Sequence, residues 1–313
     1  MCPPKKAIEK RKGIVMSKIL VTGASGDIGR KTLHHLLKLK PATQLVGLVR
    51  DPDKAKDLAA LGIELRQGDY LDKASLSAAF KGIEKLMLTS THAFTPRNEA
   101  HGNVIEAAVA AGVQHLLFMP IHRKANSTFA MKEITDEDIF TVAKLKASGI
   151  AWTLVEHPPF MDVLGFYVGL KAYETGIRVP AGVGKFAAAA RDDLAAAHAA
   201  ILTGKGHEGK TYNLAGDPAI SFQDIAKILT QLTGREVPYV AVSDDEYLKT
   251  LAAANLPDFI PPFILKWVQG MAAGEWQDTP GHLEKLIGHK PKTAAEYLRD
   301  DYLPQATAPA PAP

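Results

Sequence analysis

The stretch TGASGDIG, residues 22–29, leaves this chain few folds to choose from. It lies between an apolar run, KILV, and a segment of helical period, IGRKTLHHLLKLK, so Gly23, Gly26 and Gly29 fall on a strand-to-helix junction. Glycines at that spacing permit a tight turn, close approach of the backbone to a pyrophosphate, and close packing of helix on strand. The helix N-terminus adds a field that favours negative charge. Gly23, Ala24, Ser25, Gly26, Asp27, Ile28 and Gly29 are therefore expected to cradle a dinucleotide.

Beyond this turn, short apolar runs alternate with helix-period segments: QLVGLVR, PDKAKDLAALG, IELRQGD, KASLSAAFKG, EKLMLTS, PRNEAHGNVIEAAVAAG, HLLFMP, DEDIFTVAKLKASG and AWTLVE. Strand and helix in repeated alternation predict an α/β, Rossmann-type, doubly wound parallel sheet with right-handed crossovers. After Phe160 the pattern loosens. MDVLGFYVGLKAYETG, RDDLAAAHAAILTGKG and SFQDIAKILTQLTG read as helices, the last with Ser221 as N-cap, and KTYNLAG and VPYVAVS read as strands. The expected division is a dinucleotide-binding domain over 17–157 and a small mixed C-terminal substrate lobe over 158–302, with 191–233 packing back on the first domain. The basic segment 1–16, which lacks the apolar core of a secretory signal, is expected to be a disordered extension, and 303–313 a disordered Pro/Ala tail.

Composition narrows the chemistry. With 37 basic and 34 acidic residues the net charge of +3 creates no strong field, so neither nucleic acid nor an acidic membrane surface is an expected partner. No apolar run approaches the roughly 18 residues of a membrane helix. The only cysteine, Cys2, excludes an internal disulfide and any Cys-x-x-Cys pair; it suits a reducing cytoplasm, and redox chemistry would have to come from a bound cofactor. The histidines show no metal-binding spacing and there is no Gly-x-Ser-x-Gly elbow, so neither a metal nor hydrolase chemistry is expected. A monomer or homodimer is expected.

The second strand ends on Arg50, about twenty residues past the last glycine, where an NAD-binding chain would carry an acid for the ribose hydroxyls. An arginine there can meet a 2′-phosphate, so NADPH is favoured over NADH, with the adjacent Asp51 as the argument for NADH. Asp69 and Tyr70, ending the third strand, are expected beside the adenine. Thr89, Ser90 and Thr91, ending the fourth, are expected along the ribose and nicotinamide, because ligands sit at the carboxyl ends of such strands.

Together TGASGDIG, LVRDPDKAKDLAALGIELRQGDYLD, GIEKLMLTS, NVIEAAVAAGV, GHEGKTYNLAGD and HLEKLIGH resemble the NmrA-like group of atypical short-chain dehydrogenase/reductases. Within it the chain is most similar to type-2 NAD(P)H:quinone oxidoreductases and triphenylmethane dye reductases. The resemblance implies NADPH and direct hydride transfer, without flavin, to a quinone-like or aromatic dye-like acceptor, azo compounds included. The departures fall where an acceptor would be read. Pro120 replaces a hydroxyl or glycine, Asp138 and Val142 replace a His and a Glu, and Glu156 with His157 replaces an Arg followed by Pro or Asn. These changes motivate an alternative, a non-catalytic NADP(H)-sensing regulatory protein.

The stretch FMPIHRK places Pro120 at the end of the fifth strand, where it offers neither a hydroxyl nor an amide proton. His122 and His157 are the polar groups expected nearest the nicotinamide and are the candidate proton donors and substrate ligands. Phe160, Phe166 and Tyr167 are expected to wall the acceptor. Tyr167 and Lys171 have the Tyr-x-x-x-Lys spacing of an alcohol dehydrogenase but follow the sixth strand, outside the place where that pair works. Reduction of a quinone or dye needs less acid–base machinery, since the protein mainly orients two flat rings and excludes water.

Overall fold

A computed structural model describes residues 17–254 and 256–307. The extension expected over 1–16 and the tail from 308 lie outside the described residues. The first half alternates strand and helix: β1 (Lys18–Val21), α1 (Asp27–Leu37), β2 (Leu45–Val49), α2 (Lys56–Ala60), β3 (Glu64–Gln67), α3 (Lys73–Ala79), β4 (Ile83–Leu88), α4 (Arg97–Ala111), β5 (His115–Phe118), α5 (Glu137–Ala147) and β6 (Ala151–Glu156). β2 is buried at every position, as a strand covered on both faces must be.

The chain then runs through α6 (Leu164–Val168), α7 (Ala172–Thr175), β7 (Ile177–Val179), β8 (Lys185–Phe186), α8 (Arg191–Thr203), β9 (Lys210–Asn213), β10 (Ile220–Ser221), α9 (Phe222–Thr233), β11 (Tyr239–Ala241), α10 (Asp244–Ala252), α11 (Ile260–Ala272), α12 (His282–Ile287), α13 (Ala294–Tyr297) and α14 (Leu303–Thr307). Ser221 caps α9 in a reciprocal capping box with Asp224. Residues 161–176 do not form the single helix expected. Gly169, at φ +83°, ends α6, and Lys171 is already the N-cap of α7, so Tyr167 and Lys171 do not share a helix. Residues 303–307, expected to open a disordered tail, are helical.

The main sheet has seven parallel strands in the order β3-β2-β1-β4-β5-β6-β9. One face packs Leu33 and Leu36 of α1 with Leu194 and Ile201 of α8. The other packs Leu76 of α3, Val104 of α4 and Leu145 of α5. Each such fully buried aliphatic side chain contributes about 1.5–3 kcal/mol. A third cluster, including Phe186, Phe222, Tyr247 and Trp276, gathers the elements after β6 that do not join the sheet. The strand order reverses at β1, which lies between β2 and β4, so the crevice that a doubly wound sheet offers a ligand opens at the carboxyl ends of these two strands.

Candidate active site

The glycine turn closes with the Gly26 N–H donating to the Gly23 carbonyl at 2.9 Å. Gly23 holds φ +63°, and a Cβ on it would meet Thr89 at 3.3 Å. A Cβ on Gly29 would sit 2.5 Å from the Gly23 oxygen and 2.9 Å from its carbonyl carbon, both rigid backbone atoms. Ala24 is buried and ties the turn to β2 through its N–H to the Leu48 carbonyl, 3.1 Å; Ile28 is buried beneath it, and Ser25 is exposed. The first-turn amides of α1 have no intrahelical acceptors and face the crevice end of the strand. This is the shape that a pyrophosphate requires. Gly29→Ala is expected to weaken NADPH binding roughly 10- to 100-fold, because the turn must shift to admit the methyl group. A fluorescence titration giving wild-type affinity would contradict that.

Beyond β2, a cavity of about 370 Å3 is lined by Arg50, Gln67, Gly68, Asp69, Asp72 and Ser75. Arg50 is exposed, and its carbonyl accepts the Gln67 Nε2–H at 3.0 Å. Asp51 points elsewhere: its carboxylate accepts the Asp53 N–H at 3.0 Å and caps the following turn. Asp69 lines the cavity while its carboxylate accepts the Leu71 N–H at 2.9 Å. Tyr70 donates its hydroxyl to Thr22 and lies 3.0 Å from the Thr89 carbonyl; burial raises its pKa, so the phenol stays protonated.

The expected nicotinamide floor is bolted together by its own hydroxyls. Thr89 Oγ1 donates to the Thr22 carbonyl at 2.7 Å, and Ser90 Oγ donates to the Met119 carbonyl at 2.9 Å, joining β4 to the end of β5. The Thr91 N–H donates to His101 Nε2 at 3.1 Å, and the Thr91 carbonyl accepts from Arg97. These groups fix the crevice width rather than present free hydroxyls. Arg97, which sequence reasoning missed, is buried and pairs with Glu137 and Asp138. The second Asp138 oxygen accepts the Ile121 N–H at 2.8 Å, so one ion-pair network anchors the loops after β4 and β5.

The two candidate histidines part company. Glu156 ends β6 and His157 continues its extended backbone in a bridge to Ile121, so the two point to opposite faces. His157 enters the core on the α8 side, 4% exposed, with its Nε2 2.9 Å from His198 Nε2. Burial, first, and then the neighbouring His198 and Arg191 hold its pKa well below the usual range. A neutral, enclosed ring cannot meet an acceptor, which corrects the expectation of His157 as proton donor and substrate ligand. His122 lies on the other face, its Nδ1 2.7 Å from Glu156 and its Nε2 3.3 Å from the Asn213 amide. Both of its ring nitrogens are engaged, and its carbonyl accepts the Trp276 Nε1–H at 2.9 Å.

The expected wall of Phe160, Phe166 and Tyr167 does not form. Phe160 lies under the Arg191 guanidinium, 4.7 Å from its ring centroid, near the glycine turn, where Arg191 also approaches Asp27 at 3.3 Å. Phe166 is 61% exposed, and Tyr167 is buried in the third cluster, its carbonyl accepting the Tyr247 hydroxyl. A different aromatic row stands by the crevice. Phe94, in the loop after β4, packs on Phe259 and Phe263 at the start of α11, with ring centroids 4.8 and 5.2 Å apart. The row continues through Trp267 to Trp276. Its sequence signals were AFTP and PDFIPPFILKW, two stretches that nothing in a local pattern joins.

Among the described residues, no group of three or more His, Cys, Asp or Glu side chains could hold a metal ion, and no helix is long and apolar enough to cross a membrane.

Residues 16–298 match the model of the NmrA-like family. The chain belongs to that family. This NmrA-like chain is 38% identical over 279 residues to quinone oxidoreductase 2 of Escherichia coli, covering 89% of the chain and 96% of the relative. It is 30% identical over 241 residues to the NAD(P)H azoreductase of Xenophilus azovorans, covering 77% and 82%. The crystal structure of the E. coli quinone oxidoreductase in complex with NADPH superposes with a TM-score of 0.83 at 37% identity, over 90% of this chain and 98% of that one. The Citrobacter triphenylmethane reductase does so at 0.84 and 32% identity, over 92% and 99%. The family resemblance, the Rossmann-type α/β fold and the oxidoreductase class read from the sequence are thereby borne out.

Proposed function

We propose that this chain is an NADPH-dependent reductase that delivers hydride directly, without flavin, to a quinone-like or aromatic dye-like acceptor. The carrying observation is the pairing of a glycine turn that leaves no room for a Cβ at Gly29 with an exposed Arg50 beside a cavity, while Asp51 is spent on a turn. Arg50 is suited to hold a 2′-phosphate by charge-assisted hydrogen bonds. The α1 amides hold the pyrophosphate, and the bolted Thr22, Thr89 and Ser90 set where the nicotinamide half rests. NADPH, when bound, supplies a hydride, and a proton from water completes the reduction of a quinone. The protein's share is to orient the acceptor ring and exclude water. Pro120 is compatible with that share, since it is buried at the end of β5 and brings no hydroxyl or amide proton there. Relatives named for quinone, azo and triphenylmethane substrates support the acceptor class. The reading includes residues 158–302 as the covering lobe, apart from α8 and β9, which pack back on the Rossmann sheet, together with a cytoplasmic setting and a monomer or homodimer.

The test is a panel of quinones, azo dyes and triphenylmethane dyes, followed by loss of NADPH absorbance. Arg50→Ala is expected to raise the Kd for NADPH about 10-fold or more while changing that for NADH far less. Tight NADPH binding with no acceptor-dependent oxidation would sink the reductase reading and favour a cofactor-sensing role.

A further inference from the structure

We propose that Phe94, Phe259 and Phe263 form an aromatic clamp that selects acceptors of two or more conjugated rings over single-ring quinones. This rests on the reductase reading and specifies which acceptors the site takes. Phe94 holds φ +63°, a backbone conformation that a bulky aromatic residue rarely adopts. It is nevertheless 46% exposed, so no enclosing core imposes the strain. Strained backbone of this kind concentrates at ligand clamps.

The ring is carried on a fixed stalk. Thr91 is held by His101 and Arg97, the Thr95 hydroxyl donates to the His92 carbonyl at 2.6 Å, and the Arg97 N–H to the Thr95 carbonyl at 2.7 Å. From the far side, Phe259 is the N-cap of α11 and 51% exposed, and Phe263 follows one turn later behind Pro261 and Pro262. The three rings meet at 60° and 69°, the tilted and edge-on geometries that aromatic quadrupoles prefer.

The row does not stop at the rim. Phe263 meets Trp267 edge-on at 6.3 Å, Trp267 stacks on Trp276 at 5.1 Å, and Trp276 is hydrogen-bonded to the His122 carbonyl beyond β5. The accessible part of this row is the lip formed by Phe94 and Phe259, while Trp276, 2% exposed, is a buried anchor that ties the lip to the carboxyl end of β5. A single-ring acceptor over the nicotinamide site ends short of the lip. An azo or triarylmethane acceptor extends past it and stacks against the lip.

The experiment compares wild type with Phe94→Gly, whose residue accepts the left-handed backbone without strain, and with Phe259→Ala as an independent removal of the lip. The ratio of kcat/KM for a triarylmethane dye to that for 1,4-benzoquinone is expected to fall about 10-fold in each variant, carried by KM for the dye. Quenching of tryptophan fluorescence by the dye in the presence of NADP+ reads binding without turnover and is expected to shift to correspondingly higher dye concentration. An unchanged ratio with unchanged quenching, or an equal loss for both acceptors, would overturn the clamp. A wild-type protein that reduces nothing in the panel fails the reductase reading instead, and the quenching titration still decides whether these rings bind the dye.

Discussion

Replacing Arg97 by alanine is expected to remove about 3–5 kcal/mol of folding stability, the usual cost of stripping one partner from a buried ion pair. The side chain is 3% exposed, donates to the Thr91 carbonyl and to Asp138, and pairs by charge with Glu137 at 2.9 Å. Asp138 is itself buried, and desolvation pushes its pKa up to about 6 even though Arg97 pulls it down. Without the guanidinium that carboxyl would take up a proton near neutral pH, which limits the damage and keeps the expectation from exceeding this range. Against a typical stability of about 5–15 kcal/mol the loss is large. Asp138→Asn should cost less, since an amide oxygen can still accept the Ile121 N–H. Urea unfolding of both variants checks the order, and an Arg97→Ala protein as stable as wild type would refute the network's role. NADPH binding should weaken with stability, because Thr91 and Ile121 lose their common anchor.

The cofactor half of the site was legible because its signals are local. Gly23, Gly26 and Gly29, the strand before them and the helix after them lie within one stretch of sequence, and Arg50 follows at a fixed interval set by one helix and one strand. The acceptor half was not, because its geometry is decided by strand parity and distant packing. Alternation puts His157 on the same face as Val155, yet only the docking of α8, which brings His198 to it, makes that face the enclosed one. The aromatic wall failed for the same reason. Phe160, Phe166 and Tyr167 are close in sequence, but Phe160 lies before α6 and the adjacent Phe166 and Tyr167 point about 100° apart on it, so they diverge, while Phe94 and Phe259 converge from distant parts of the chain. Asp138 could be named as a departure from the family pattern, but its partner Arg97 lies on another helix and carries no sequence mark of its own.

Acidification from pH 7.5 to pH 5 is expected to lower stability by at least about 4–5 kcal/mol through the buried histidines His101, His115, His157 and His198, all held below their ordinary pKa, and one opposing carboxyl. Burial holds His101 and His198 down to about 3 and His157 well below its ordinary value. Their hydrogen bonds also require the neutral form. Thr32 Oγ1 donates to the Ile28 carbonyl and so accepts from His198 Nδ1–H; His198 Nε2 then accepts from His157 Nε2–H, leaving His157 Nδ1 buried without a partner. His101 likewise donates through Nδ1 to Thr141 and accepts the Thr91 N–H at Nε2. These are bases with lowered folded pKa values, so below about pH 6.5 the unfolded chain binds protons that the folded one refuses. Stability is then lost as pH falls, by about 1.4 kcal/mol per unit for each ring. Asp138 acts in the opposite sense: its raised pKa of about 6 returns part of the loss as it protonates. Unfolding midpoints at pH 7.5, 6.5, 5.5 and 5.0 measure the slope. The double variant His157→Leu with His198→Leu, which replaces both partners by apolar groups, should retain most of the neutral-pH stability and about a third to a half of the histidine slope, carried by His101 and His115. A wild-type midpoint that stays level down to pH 5, or a double variant with the full slope, would show that these rings are not held neutral by the fold.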